Sequence, residues 1–310
     1  MRRSAAFLLV PVFLVSLLTA CSGGSDSGDK TASSKQTTAG FPSVTGGFGT
    51  RPTVSTKGQH PGATLRSTLL TKGTGPKVAK GDLLVANYLG QVFSSGKVFD
   101  SSFDRGVPSS FAIGVGHVIP GWDKTLVGLP SGSRVLMVVP PASGYGAQGN
   151  PQAGIKGTDT LVFVVDVIAS YPPAAAVTTA KPVKNPATGG IHVTGSLGRP
   201  PGVRIDKGTP EPTRPSVTVL DRGTGKPVSM QSLVVLEYIA FSWKGQPLDS
   251  TWQRTPQGAP VGSVQQGSPF DQLVGVPVGS RVIFRLPKSA SGSPPQSVVF
   301  VIDIVAAHSG

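Results

Sequence analysis

The 310-residue sequence is almost free of cysteine. Cys21 is the only one, so the chain can form no internal disulfide bond, and a zinc site built on several cysteines is excluded. The four histidines, His60, His117, His192 and His308, are too widely spaced to predict a metal site or a catalytic triad. Neither a Gly-x-Ser-x-Gly motif nor a phosphate-binding loop is present. We therefore predict no cofactor and no metal.

Acidic side chains are also scarce. There are 15 Asp and Glu residues against 28 Lys and Arg residues, which gives a formal net charge of +13. Such an excess can indicate binding to nucleic acid or to an anionic surface, but here the basic residues are scattered and form no run. We predict no nucleic-acid partner. The charge either serves solubility or faces anionic lipids and wall polymers.

No apolar run in the amino-terminal region is long enough to span a membrane, which takes about 20 residues. Instead, Met1-Arg2-Arg3 is followed by an apolar stretch from Ala5 to Leu18 and then by Leu18-Thr19-Ala20-Cys21. This order is typical of a secretory signal, and its end resembles the lipobox of bacterial lipoproteins. We predict a signal peptide over 1–20, a lipid on Cys21 and a flexible tether over 21–42. The protein would be exported and lipid-anchored to the outer face of the bacterial cell membrane. An ordinary cleaved signal is the alternative.

The rest of the chain is written twice. Val44–Gly49 returns as Val193–Gly198, and Leu83–Leu89 returns as Leu233–Ile239. The offset is 149 or 150 residues in these segments and falls to 137 by the last strand, where Leu161–Asp166 matches Val298–Asp303. A period this long indicates a duplicated domain rather than a solenoid, whose units run about 20 to 50 residues. We predict domains over 43–170 and 192–310 with an Ala/Pro-rich linker over 171–191.

Strand signals dominate the first copy. Residues 65–71, 83–93, 109–113, 134–139 and 160–169 are β-branched or alternating runs bounded by turn residues. Ser94–Lys97 suits a hairpin turn, and only Trp122–Val127 favours a short helix. The prediction is an α+β fold in which each domain is an antiparallel sheet wrapped around one short helix.

Separated motifs of the first copy occur in a recognisable order. They are Tyr88, Gly96–Ser102, Arg105, Val118–Trp122, Pro141–Gly146 and Thr160–Phe163. In order and spacing they resemble the FKBP-type peptidyl-prolyl cis-trans isomerases, over about residues 64 to 170. The resemblance implies that the first copy is an FKBP-like domain that isomerises X-Pro bonds during folding of exported proteins, and the repeat makes the second copy another FKBP-like domain. Its implied partners are proline-containing unfolded or nascent chains and macrolide ligands.

The resemblance also implies a pocket for the proline ring. Trp122 would form its floor, and its walls would be Tyr88, Phe99, Val118, Ile119 and Phe163. Ile155 would lie on the flap beside Tyr145. The same aromatic residues could simply be core, and Asp100 with Arg105 could be a surface ion pair of little energetic value. The joint arrangement favours the pocket.

Catalysis in such a pocket needs no nucleophile. Amide resonance gives the X-Pro bond a barrier of about 18 to 20 kcal/mol, and a site that binds the twisted amide better than the planar one lowers it. By resemblance, Asp100 would meet the twisted carbonyl or orient the Tyr88 hydroxyl, and Arg105 would keep Asp100 ionised. The Ile119 N–H and the Tyr145 hydroxyl would donate to substrate carbonyls. The catalytic residues would be Asp100, Tyr88 and Tyr145. The alternative is a proline-peptide binding or chaperone-like surface lipoprotein without turnover.

The second copy has lost part of this set. Tyr238, Asp249 and Arg254 remain, but Leu248 stands in place of Phe99. Residues 264–270 contain no tryptophan, and the ten residues missing before the last strand remove the counterparts of Tyr145 and Ile155. We predict that the second copy is not catalytic.

Overall fold

The computed structural model describes residues 40–262, 268–290 and 296–310. The predicted signal peptide, Cys21 and nearly all of the tether lie outside these residues. Within the described ranges, the chain contains no helix with the length and apolar character needed to cross a bilayer.

The first half forms a six-stranded antiparallel sheet. Its central path runs β3-β7-β8-β4-β5, and β6 also pairs with β4. The strands are β3 (Arg66–Thr71), β4 (Leu83–Val92), β5 (Val98–Ser101), β6 (Ser109–Ala112), β7 (Arg134–Val139) and β8 (Leu161–Tyr171), and they follow a small hairpin of β1 (Ser43–Thr45) and β2 (Thr53–Ser55). Two short helices, α1 (Ser102–Arg105) and α2 (Pro120–Leu126), complete this half. The predicted sheet-rich α+β arrangement is confirmed here.

Helix α2 packs against one face of this sheet because its apolar side chains belong to the main core. Trp122 and Leu126 of α2 are buried with Leu84 and Tyr88 of β4. The prediction placed the helix at 122–127, and the observed helix begins two residues earlier, since Pro120 occupies its first turn. Strand β5 and helix α1 were not predicted.

A buried ion pair fixes the β1–β2 hairpin to the opposite face of the sheet. The Arg134 and Asp166 side chains are fully buried, and Arg134 Nε donates to Asp166 Oδ1 at 2.6 Å. Arg134 also donates to the carbonyls of Gly46 and Thr50, each at 2.7 Å, while the Gly49 N–H donates to Asp166 at 2.7 Å. The pair therefore satisfies backbone groups of a loop that lies far away in sequence.

The second half repeats this strand order. Its sheet runs β14-β13-β17-β16-β12-β9, with β15 paired to β13. The strands are β9 (Lys181–Pro182), β12 (Ser216–Arg222), β13 (Ser232–Ser242), β14 (Pro247–Ser250), β15 (Gln257–Val261), β16 (Arg281–Leu286) and β17 (Val298–Ser309), and a second hairpin is formed by β10 (Ile191–Thr194) and β11 (Gly202–Ile205). Arg281 pairs with Asp303 at 2.6 Å and donates to the carbonyls of Gly195 and Arg199, as Arg134 does in the first half. The repeat in sequence thus coincides with a repeat in strand order.

The predicted linker over 171–191 is not a free spacer along its whole length. Ala175 and Val177 are buried, Lys181–Pro182 pairs with β12, and the Val183 N–H donates to the Leu220 carbonyl at 2.8 Å. The Ala/Pro-rich composition of this segment predicted a semi-stiff spacer, but two of its apolar side chains, Ala175 and Val177, are buried in the folded chain.

Glu237 is a buried carboxyl group at the repeat position of Asn87. Its side chain accepts a hydrogen bond from the Thr251 hydroxyl, as the Asn87 side chain accepts one from the Ser102 hydroxyl. Burial raises the pKa of Glu237 from 4.5 to about 7; the hydrogen bond from Thr251 lowers it less than burial raises it. The native state therefore resists ionisation of this group.

Replacing Glu237 by glutamine is expected to stabilise the protein at high pH but not at low pH. Because the folded pKa lies above the unfolded one, the wild-type stability linked to Glu237 is complete below about pH 4.5 and declines until about pH 7. The gain in the variant should reach on the order of 3 kcal/mol above that range. Urea unfolding at pH 4 and pH 8 checks this, and an equal effect at both values would contradict it.

Candidate functional site

A cavity of about 470 Å³ opens on the α2 face of the first sheet. Trp122, the predicted floor of the pocket, and Tyr145, a residue of the predicted flap, both line this cavity. Eight of the predicted site residues line it: Tyr88, Phe99, Asp100, Val118, Ile119, Trp122, Tyr145 and Phe163.

Trp122 forms the floor of an aromatic box. Its ring centre lies 5.3 Å from that of Tyr88, 5.0 Å from Phe111 and 5.4 Å from Phe163, with interplanar angles of 84°, 72° and 84°. These edge-to-face contacts are favourable beyond simple burial and hold the rings in place. Among the described residues the indole Nε1 finds no hydrogen-bond partner, although it is buried.

Glycines allow these rings to come together. At Gly90 of β4, a Cβ atom would stand 2.7 Å from the Phe99 ring and 2.8 Å from the Phe163 ring. At Gly121, a Cβ atom would lie 2.9 Å from Val139, so that the first turn of α2 can approach β7 only without a side chain there. The walls and the floor are thus placed by close packing.

A polar group of three side chains forms one edge of the cavity. The Tyr88 hydroxyl donates to Asp100, Arg105 Nη1 donates to the other Asp100 oxygen at 2.5 Å, and Arg105 Nη2 donates to the Tyr88 hydroxyl at 3.0 Å. Arg105 itself does not line the cavity; it holds the two groups that do. Its Nη2 also donates to the Ser109 hydroxyl at 3.0 Å.

The Tyr88 hydroxyl stays protonated at neutral pH. Burial, together with the hydrogen bond to Asp100, raises the pKa of Tyr88 to about 12. The carboxylate and guanidinium are both exposed by more than 40%, so the ion pair contributes little to stability. What the pair provides is a fixed position for Asp100 at the cavity edge.

The flap over 141–157 differs from the prediction at Ile155. Tyr145 is 36% exposed at the cavity rim, whereas Ile155 is only 3% exposed and packs in the core cluster instead of lining the cavity. Reciprocal backbone hydrogen bonds of 2.9 Å with Asn150 hold Ile155 there. The buried Ile155 side chain therefore anchors the flap to the core.

Five cavity residues were not among the predicted site residues: Phe111, Gly116, His117, Pro120 and Gly144. Phe111 and His117 are the two with large side chains. Phe111 is the single aromatic residue of the predicted strand 109–113, and strand alternation puts it on the face of Ser109. That signal could have found it. His117 was considered only as a metal ligand or triad member, and within the described residues no cluster of His, Cys, Asp and Glu suited to a metal ion occurs.

The second half keeps the polar group but not the floor. Tyr238 donates to Asp249 at 2.5 Å, and Arg254 donates to both Asp249 oxygens at 2.6 and 2.7 Å. Burial and the hydrogen bond to Asp249 raise the pKa of Tyr238 to about 12. In place of an indole box, the Phe270 ring stacks on Phe284, with ring centres 5.5 Å apart and planes 21° apart.

Comparison with known proteins gives the family of this sequence. The sequence profile of the FKBP-type peptidyl-prolyl cis-trans isomerases matches residues 75–168. An FK506-binding protein of Streptomyces anulatus is 36% identical over 119 residues, which are 38% of this chain and 96% of that protein. The chain belongs to the FKBP-type peptidyl-prolyl cis-trans isomerase family. The sequence-based prediction of an FKBP-type isomerase is therefore confirmed.

Further FKBP-type relatives match only in part. The chloroplastic peptidyl-prolyl cis-trans isomerase FKBP13 of Arabidopsis thaliana is 45% identical over 103 residues, and this chain spans about half of it, 47%. That match covers 31% of this chain. Among solved structures, the match to AtFKBP13 covers 34% of this chain and 91% of the AtFKBP13 chain. The two are 37% identical, and the TM-score is 0.31. The match to FkpA from Escherichia coli covers 35% of this chain and 48% of the FkpA chain, at 37% identity and with a TM-score of 0.32.

Proposed function

We propose that the first half isomerises X-Pro bonds in the cavity floored by Trp122, with Asp100, Tyr88 and Tyr145 as its catalytic residues. The observation that carries this proposal is the aromatic box with the Tyr88–Asp100–Arg105 group at its edge. An apolar cavity with a few converging polar groups is the usual form of a ligand site. The proline ring would lie on the indole.

The residues act on the twisted amide without forming a bond to it. Twisting removes resonance, so the carbonyl loses partial negative charge on oxygen while its carbon becomes more electrophilic. Asp100 faces that carbonyl, and the Ile119 N–H and the Tyr145 hydroxyl donate to the substrate carbonyls on either side. Each 1.4 kcal/mol of preference for the twisted form gives about a tenfold rate increase. Apolar walls strengthen these contacts because they exclude water.

An isomerisation assay tests this proposal. The purified protein should accelerate cis-to-trans conversion of a proline peptide in a protease-coupled assay. A protein that binds the peptide but never accelerates its conversion would favour the rival function, a proline-binding module. A protein that does neither would leave a structural surface role.

We further propose that the chain has two FKBP-like domains, over 43–170 and 192–310, and that the second is not catalytic. The repeated strand order supports the first part of this proposal. The second part is supported by the Phe270–Phe284 stack where the first half has Trp122, and by the ten residues missing from the flap. Without floor and flap, the polar group of the second half faces water.

We also propose that the protein is exported and lipid-anchored through Cys21, and that its substrates are proline-containing unfolded exported proteins. Macrolides related to FK506 would compete for the same cavity. The sequence pattern at 1–21 supports the anchor. Replacing Cys21 by serine should move the protein from the membrane fraction to the soluble fraction of fractionated cells, while Ser22→Ala should not. Equal membrane association of both variants would contradict the anchor.

A further inference from the structure

The two sheets share an apolar cluster, which we call the inter-sheet interface. Leu83 and Val85 of β4 are buried there together with Leu233 and Val235 of β13. Each pair occupies the same position in its copy, 150 residues apart. The partly buried residues that complete the interface are Ile168, Tyr171, Val305 and Ala306.

Two polar contacts also join the two halves beside the interface. Tyr171 and His308, which again occupy equivalent positions 137 residues apart, form a hydrogen bond of 2.7 Å between the hydroxyl and Nε2. The Thr255 hydroxyl donates to the Gly81 carbonyl at 2.9 Å. Equivalent surfaces thus meet each other, as in an isologous dimer, but within one chain.

Strand β6 lies between this interface and the cavity. On one side, Ser110 packs against Gly258 of β15 so closely that a Cβ atom on Gly258 would stand 2.1 Å from the Ser110 hydroxyl oxygen. On the other side, Ser109 accepts the hydrogen bond from Arg105, and Phe111 contacts the Trp122 ring edge-on. Alternation along the strand makes this division possible.

A second connection ends at the same strand. The Gly81 N–H donates to the Ile113 carbonyl at 2.8 Å, and the Ile113 N–H donates to the Asp82 carbonyl at 3.0 Å. Because Thr255 binds the Gly81 carbonyl, the second half also contacts the backbone that anchors the end of β6. The contacts of Ser110 with Gly258 and of Thr255 with Gly81 involve only backbone and short side chains. Such groups have few alternative conformations, so a shift in one half is transmitted to the other.

We propose that the second half positions the isomerase site of the first half by clamping β6. In this role Gly258, Ser110 and Thr255 are positioning residues that act through Phe111 and the Arg105–Ser109 hydrogen bond. The proposal rests on the proposed function of the first half. It gives the second copy a task that does not require chemistry of its own.

Gly258→Ala in the full chain tests the clamp. The added Cβ atom should push β15 and β6 apart and lower kcat/KM for a proline peptide at least about threefold, since misplacements near 1 Å can cost about a hundredfold. Ser110→Gly/Gly258→Ala should recover activity to within about twofold of Ser110→Gly alone, because the obstructing hydroxyl and Cβ are gone. Pro260→Ala, a change at an exposed position on the same strand, is the matched control and should leave the activity unchanged.

The outcomes separate the clamp from the proposed function. A wild-type protein without isomerase activity overturns the proposed function. An active wild type whose folded Gly258→Ala variant is equally active overturns the clamp, and so does a Gly258→Ala loss that Ser110→Gly does not rescue. If Gly258→Ala fails to fold, Thr255→Val replaces it: a loss of kcat/KM at an unchanged melting temperature supports the clamp, and unchanged kcat/KM overturns it.

Discussion

Replacing Asp100 by alanine is expected to lower kcat/KM for X-Pro isomerisation by about ten- to a hundredfold. One preorganised polar group aimed at the changing carbonyl has an effect of this size or larger in other enzymes. The variant also leaves the Tyr88 hydroxyl without its acceptor and Arg105 without its ion-pair partner. Stability should change by less than about 1 kcal/mol, because the pair is exposed. A protease-coupled assay and thermal unfolding measure the two quantities.

Asp249→Ala is the matched control, since Asp249 makes the same contacts with Tyr238 and Arg254 in the second half. It should leave the isomerase activity of the full chain unchanged. If Asp249→Ala lowers activity as much as Asp100→Ala does, both halves contribute to turnover. If neither variant changes the rate, the polar group has no part in catalysis.

Replacing Arg134 by methionine is expected to lower the free energy of unfolding by about 3 to 5 kcal/mol. The change leaves the fully buried Asp166 carboxylate without its partner, and removal of one member of a buried pair has this cost. The carbonyls of Gly46 and Thr50 lose their donors as well. Domains of this size are stable by about 5 to 15 kcal/mol, so the loss is a large fraction. Urea unfolding followed by circular dichroism gives the value.

The double variant Arg134→Met/Asp166→Leu separates charge burial from packing. Because it removes both charges, it should be more stable than Arg134→Met alone. Arg281→Met provides a matched case in the second half, with its own loop carbonyls at stake. A loss below about 1 kcal/mol in Arg134→Met would contradict the role of the pair.

Local signals in the sequence were enough for much of the fold. The run Leu83–Phe93 predicted a strand because it is bounded by turn residues on both sides, and Pro120-Gly121 marks the start of α2 before Trp122. The repeat predicted a second sheet with the same strands, and its strand order follows that of the first. The spacing of Asp100 and Arg105 did not predict a functional site by itself. Only the resemblance to the family assigned these two residues a role.

Other features depend on partners distant in sequence. Arg134 and Asp166 are 32 residues apart, and nothing at either position predicts their contact or the loop carbonyls that Arg134 binds. The composition of 171–191 is that of a spacer, yet Ala175 is buried. The family resemblance placed Ile155 on the flap as a substrate contact, and only the folded backbone shows that its side chain turns into the core.

Strand β4 is covered on both of its faces, by the cavity core on one and by the second half on the other. Cutting the chain after Tyr171 would therefore uncover Leu83, Val85 and Ile168 at once, and sticky apolar area of this kind promotes association or partial unfolding. A truncated first half that loses activity would then report on exposed surface rather than on missing chemistry. Single-residue replacements in the intact chain therefore measure the contribution of each half without exposing this interface.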